Sequence, residues 1–205
     1  MCIRDRSVIG LTGGIASGKS LAAERLSELG AHSINGDLLG HQSYAPGTRG
    51  FDNVVAEFGD EVVGDNGEID RAVLGPKVFS SPDGLEKLNS IVWPEIRLLA
   101  EAEIQSIREN NPTAQIVLEA AVLIEAEWQD LCDEVWVVSV PESIAIERLM
   151  ARNNLDRDAA QSRIDSQMSV DERENYGDVV IHNDSSIEEF SERIDVAWRE
   201  LSERS

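Results

Sequence analysis

The sequence predicts an α/β fold, a parallel sheet covered by helices on both faces, and three observations carry that prediction. Short apolar runs at 8–12, 115–119, 134–140 and 179–181 alternate with longer stretches at helical spacing. A glycine-rich loop joins the first run directly to a helical stretch. The 205 residues, 41% apolar and 28% charged, supply enough core for one such domain.

The elements follow in order. A strand at 8–12 leads through the loop into a helix at 19–29, with Gly30 placed to end it. A short second strand covers 31–35 and stops at Gly36-Asp37. A helix begins at Leu38 and breaks at Pro46-Gly47. Phe51, Val54, Val55 and Phe58 give 50–58 a helical period, and Asp65-Asn66-Gly67 is a tight turn. Asp70 is positioned to cap a helix at 71–79. Ser81-Pro82-Asp83 opens another helix with proline in its first turn, and a longer helix runs from about Pro94 to Asn110. The stretch 120–128 is a loop or short helix. Glu134 to Val140 is the cleanest buried strand, and Pro141 begins a helix that reaches Arg152 and closes at Asn153-Asn154. A helix at 157–168, a last strand at 179–181 and a terminal helix capped by Ser186 complete the chain. One domain over 7–205 is expected, its core at 7–37 and 112–205 split by a helical insertion at 38–111. Residues 1–6 read as a polar lead outside the fold.

Gly13-Gly14-Ile15-Ala16-Ser17-Gly18-Lys19-Ser20 matches the phosphate-binding pattern G-x-x-x-x-G-K-[ST] in full, with the strand before it and the helix after it that the pattern requires. Glycines let successive backbone N–H groups turn inward onto phosphate oxygens, and the helix adds its electropositive end. Lys19 would reach the β- and γ-phosphates and the Ser20 hydroxyl would ligate Mg²⁺. The alternative is a plain glycine turn, which would bury Lys19 with no anion to neutralise it.

The net charge is −21, from 18 basic and 39 acidic residues, which argues against a nucleic-acid partner. Positive charge must therefore be focused locally, and with only Lys19, Lys77 and Lys87 as lysines, arginine carries most of it. No run approaches the roughly 18 apolar residues of a membrane span. No long apolar stretch follows Arg4 and Arg6, so a signal peptide is not expected. Cys2 and Cys132 cannot build a disulfide framework, and a reducing cytoplasm is the expected location. Cys132 reads as a residue near the core rather than a reactive thiol.

Further stretches carry a more specific signal. They are Ile9-Gly10-Leu11-Thr12-Gly13-Gly14-Ile15, Asp37-Leu38-Leu39-Gly40-His41, Tyr44-Ala45-Pro46-Gly47, Val73-Leu74-Gly75, Trp93-Pro94, Ala120-Ala121-Val122-Leu123-Ile124-Glu125, Glu134-Val135-Trp136 and the run from Ala160 to Ser169. From about residue 7 to about 200 the chain resembles the dephospho-coenzyme A kinase family, most of all the version in the C-terminal half of eukaryotic bifunctional coenzyme A synthase. The resemblance implies a P-loop kinase-like three-layer fold with a five-stranded parallel sheet, a helical substrate-binding region and an arginine-bearing lid at about 148–168. It implies ATP-dependent phosphorylation of the ribose 3′-hydroxyl of dephospho-CoA, the last step of CoA synthesis, with Mg²⁺ as cofactor. A monomer is expected, with a functional association with phosphopantetheine adenylyltransferase.

Asp37 follows the second strand, where a carboxylate can accept the acceptor-hydroxyl proton or hold that hydroxyl in line. It matches the second position of the family's Asp-x-Asp motif; Asn35 stands at the first. An N-cap for the following helix is the alternative. Arg148 and Arg152 lie four apart on one helical face, and both resemble lid and helix arginines of the family. Arg152 is the stronger phosphate clamp, unless it pairs with Glu147 or Asp156. Arg163 is read in a similar role, toward substrate, and Gln167 matches a position near the end of the lid. Arg71 and Arg97 are expected to contact the anionic groups of dephospho-CoA. His41 either faces the acceptor or lies on a helix surface, and Trp93 reads as core. Glu119, where the family often has Asp, ends the third strand as a candidate holder of metal-bound water. Glu125 matches an acid on the acceptor side. Asn183 resembles a residue near the adenine pocket, with an Asx-turn as its alternative. Two other readings stay open: a nucleoside monophosphate kinase on the same scaffold, and a nucleotide-binding protein without catalysis, which Asn35 and Glu119 would favour.

Overall fold

The computed structural model describes residues 7–204, so the lead expected at 1–6, with Cys2, lies outside the described residues. In chain order the elements are β1 Val8–Gly13, α1 Lys19–Glu28, β2 His32–Asn35, α2 Gly36–Gln42, α3 Arg49–Phe58, α4 Arg71–Ser80, α5 Gly84–Asn110, β3 Ile116–Glu119, β4 Glu134–Ser139, α6 Glu142–Asn153, α7 Arg157–Asp165, α8 Val170–Glu174, β5 Val179–His182 and α9 Ile187–Arg204. Short 3-10 turns occur at Asp60–Val62 and Trp128–Leu131. The chain divides into two compact units: one runs to Asn35 and resumes at Ile104, the other is Gly36–Glu103.

The first unit holds a five-stranded parallel sheet in the order β2-β3-β1-β4-β5. Central strands buried on both faces read as continuous apolar runs, and every residue of β3 is buried. Ile9 and Leu11 of β1, Trp136 and Val138 of β4 and Ile181 of β5 share one core cluster with Leu26 of α1 and Phe190 and Ile194 of α9. Fully burying each of these large side chains contributes about 1.5–3 kcal/mol relative to leaving it in water. The register sets Leu11 beside Glu119, and Glu119 beside Asn35. The carboxyl ends of β1, β2 and β3 therefore meet where the chain leaves β1 for α1, the edge at which open α/β sheets bind ligands.

The second unit is helical. Thr48 caps α3 by accepting from the Phe51 N–H at 3.1 Å, and Asp70 caps α4 by accepting from Ala72 N–H at 2.8 Å. Two expectations change here. The helix expected from Leu38 to Gly47 ends at Gln42, and the two helices expected after Ser81 are one, α5, with Pro94 inside it and Pro82 in the turn before it. Proline forfeits a single backbone hydrogen bond, while Val92, Ile96 and Ala100 keep a buried four-residue spacing straight through it. A third change lies in the first unit. The helix expected at 157–168 stops at Asp165, and a separate α8 starts with a capping box in which Ser169 and Glu172 satisfy each other's backbone N–H groups.

Candidate functional site

The loop between β1 and α1 has the shape its sequence demands. Gly18 takes φ 96°, and a Cβ there would lie 2.2 Å from Asn183 Nδ2; a Cβ on Gly13 would lie 2.5 Å from Ser17 Oγ and 2.7 Å from the Val138 carbonyl. Only glycine fits either position. Within the loop Ser17 N–H donates to the Gly14 carbonyl at 3.2 Å. Among the described residues no protein acceptor meets the N–H groups of Ala16, Gly18, Lys19 or Ser20. They line the start of α1 as a set of open donors, the arrangement that receives phosphate.

Lys19 is neutralised by Glu119. Its Nζ lies 2.6 Å from Glu119 Oε1, with the two side chains 11% and 5% exposed. Ser20 Oγ donates to the same oxygen at 2.8 Å, and Asn35 Nδ2 donates to Oε2 at 3.2 Å. One buried carboxylate thus gathers the lysine and hydroxyl of the loop and the end of β2. Asn35 acquires a physical reason: an amide donates to Glu119, whereas a carboxylate there would face it as a like charge.

The back of the loop is held by Arg148 and Asn183. Asn183, 6% exposed, donates from Nδ2 to the Ser17 carbonyl at 2.7 Å. Arg148 of α6 donates to the Ala16 carbonyl at 3.4 Å and to the Asn183 carbonyl and Oδ1 at 3.1 and 3.2 Å. Both side chains therefore engage carbonyls of the loop, and the N–H of the Ser17–Gly18 peptide has no protein acceptor among the described residues. The Asn183 side chain is committed to the loop rather than to an Asx-turn toward Ser186, whose hydroxyl accepts from Glu189 N–H.

The lid residues separate into two groups. Arg152 and Arg163 are exposed, and Arg152 donates to Asn153 Oδ1 at 3.0 Å rather than to Glu147 or Asp156. Ile15 and Ala16 of the loop pack with Ile146, Leu149, Ala160 and Ile164 of α6 and α7, and Gln167 accepts from Ile15 N–H at 2.8 Å. Arg173 of α8 is only 3% exposed and donates to Glu125 Oε1 at 2.9 Å. A small cavity of about 50 Å³ opens between Gly14, Val138, Ala145, Ile164, Gln167 and Arg173. Arg173 was not singled out from the sequence. Its signal was the Ser169-Val170-Asp171-Glu172 capping pattern, which announces a helix just before it.

In the second unit Asp37 is exposed in the first turn of α2. The helix starts at Gly36, so Asp37 is not its N-cap. Arg71, the first residue of α4, donates to His41 Nδ1 and, at 2.6 Å, to the Tyr44 hydroxyl, with its guanidinium 5.6 Å from the Tyr44 ring centroid. These three, with Pro46 and Glu68, line a polar cavity of about 200 Å³. Arg97 lies 2.9 Å from Glu101, one turn on along α5. Trp93 is half-buried. Tyr44 joins the expected pair His41 and Arg71 through a contact that links residues 27 positions apart, which spacing alone does not reveal.

The family model described as dephospho-CoA kinase matches residues 7–189. The chain belongs to the dephospho-CoA kinase family. A dephospho-CoA kinase of Geobacter sulfurreducens is 40% identical over 94% of this chain and 97% of its own length. One from Carboxydothermus hydrogenoformans is 42% identical over 91% and 90%. The solved structure of a dephospho-CoA kinase from Campylobacter jejuni superposes with a TM-score of 0.74 at 26% identity, covering 97% of this chain and 98% of that one. Family membership sets aside the nucleoside monophosphate kinase reading and makes the chain a kinase of the P-loop class. No described helix is long and apolar enough to cross a membrane.

Proposed function

We propose that this protein transfers the γ-phosphoryl group of ATP to the 3′-hydroxyl of dephospho-CoA, giving coenzyme A and ADP. The observation that carries the reading is the family match over residues 7–189 joined to an intact phosphate loop whose lysine is charge-neutralised and whose N–H donors at Ala16, Gly18, Lys19 and Ser20 are open among the described residues. The loop donors and Lys19 bind the β- and γ-phosphates and oppose the charge that builds during transfer. Arg148 and Asn183 hold carbonyls of the loop. Asp37 takes the proton of the 3′-hydroxyl as its oxygen attacks the γ-phosphorus and the bond to the β-phosphate oxygen breaks; its chain position just after β2 supports that role. Arg152 and Arg163, exposed on the lid segment, are free to turn toward the transferred group when the lid closes. His41, Arg71 and Arg97 of the helical unit, with Glu125, receive the acceptor, whose anionic groups suit the arginines in an otherwise acidic chain.

The residues present fit Mg²⁺. Ser20 Oγ and Glu119 Oε1 are hard oxygen donors 2.8 Å apart, and this ion takes few protein ligands, completing its shell with water and phosphate. When bound it would neutralise charge on the β- and γ-phosphates. The same reading takes the protein as a cytoplasmic monomer in functional association with phosphopantetheine adenylyltransferase.

The test is ADP release from purified protein with Mg-ATP, comparing dephospho-CoA with AMP, CMP, adenosine and no acceptor. Release that requires dephospho-CoA, with one phosphate added at the 3′ position and lost in D37N, is the expected result. Confirmed ATP binding with no release would instead support a binder without catalysis.

A further inference from the structure

Besides Ser17, whose N–H is bonded within the loop, a second loop donor is not open. Among the described residues Ile15 N–H has no backbone acceptor, and it is satisfied by the side chain of Gln167, 152 residues later, in the segment between α7 and α8. Gln167 is exposed, so burial does not force it there. The Ile15 side chain meanwhile packs among Leu149, Ala160 and Ile164 of the same lid helices. The loop and lid are thus joined twice, once by apolar contact and once by a hydrogen bond whose acceptor is a carbonyl oxygen standing where the neighbouring N–H groups await an anion. Gly14 lies against the same side chain, and Gly14 and Gln167 line one small cavity.

We propose that Gln167 is a positioning residue that tethers the lid to the phosphate loop by occupying the Ile15 N–H in the nucleotide-free protein, and that a phosphoryl oxygen of ATP displaces it. The exchange couples filling of the loop to release and reclosure of the segment carrying Arg152, Arg157 and Arg163. It rests on the assignment of Gly13–Ser20 as the nucleotide loop. A competing internal acceptor lowers apparent affinity by the fraction of molecules in which it must be displaced.

The test uses the full chain with Q167L and Q167E, measuring ATP and ADP affinity by titration calorimetry and tryptic cleavage after Arg157 and Arg163 by mass spectrometry. Q167L removes the acceptor at similar volume. It should tighten ATP binding by about fivefold, the equivalent of one ordinary hydrogen bond, and speed cleavage of the nucleotide-free lid. Q167E offers a stronger, charged acceptor that also repels phosphate, so it should weaken ATP binding by at least as much. The opposite signs are the signature, because a merely structural role would shift both variants the same way. Unchanged affinity in both, or a shift of both in one direction, would overturn the tether. Failure of the unsubstituted protein to bind ATP, or equal binding by K19M, would overturn the loop assignment and the tether with it.

Discussion

Removing the Glu119 carboxylate tests how the loop is held before nucleotide arrives. Glu119, 4% exposed, accepts from Lys19 at 2.6 Å, Ser20 at 2.8 Å and Asn35 at 3.2 Å. In E119A all three donors lose their acceptor and the Lys19 ammonium keeps its burial without a counter-charge. Breaking a buried ion pair from one side costs about 3–5 kcal/mol. Lys19 retains some water access, so the lower end, about 3 kcal/mol, is expected, a fall in Tm of about 6–12 °C for a chain of this size. E119Q keeps an acceptor for Lys19 and Ser20, and the Asn35 amide can rotate to receive its NH₂, so a loss of about 1 kcal/mol is expected. Phosphate supplies the missing negative charge, so saturating ATP should raise the Tm of E119A by more than it raises that of the unsubstituted protein. Thermal unfolding by circular dichroism, with and without ATP, reads all of this. An E119A protein melting within about 2 °C of the original would show that Glu119 is not what neutralises Lys19.

The remaining predictions concern the back of the loop, the lid and the core. R148A removes the donors to Ala16 and Asn183 and should weaken ATP binding by about tenfold while lowering Tm by only about 2–4 °C, because the loop loses orientation rather than core packing. R173M leaves Glu125 without its guanidinium and should destabilise by about 3 kcal/mol in urea unfolding, whereas R173K should recover most of that loss. Burial, helped by the charges of Asp133 and Asp130, pushes the Cys132 thiol up to about 12. The unfolded chain releases that proton from about pH 8.5 while the folded one keeps it, so stability should fall as pH rises above about 8.5, and C132A should flatten the decline. At the acid end the Arg25 guanidinium holds the Asp195 carboxyl below the usual carboxylate range. That contribution is present above the unfolded pKa of about 4 and is lost as pH falls, so D195N should reduce the acid sensitivity seen in urea titrations.

Much of the fold was legible because it rests on local signals. The runs at 8–12 and 134–140 are apolar on both faces and bounded by turn residues, and only a covered parallel strand needs that composition. Asp70, Asn154 and Ser186 end or begin helices through contacts with near neighbours. The errors came where non-local packing outweighed a local rule. Pro94 and Pro82 read as boundaries, yet the buried face of α5 carries the helix through the first and starts it after the second.

The sequence by itself determined that a strand, a phosphate loop and a helix follow one another, and that Lys19 and Ser20 open that helix, because those features are written within thirteen residues of continuous chain. It also pointed to Glu119, Arg148 and Asn183 as members of one site. Only the tertiary structure decided what each does there. Glu119 meets Lys19 across 100 positions because β3 pairs with β1 in one register, Asn183 reaches Ser17 across 166 because β5 ends beside the loop, and Gln167 reaches Ile15 across 152 because α7 packs on it. A residue type limits which bonds a side chain can make. Which of them it makes is set by strand order and register, and those are fixed by burial of the whole core rather than by any single stretch of chain.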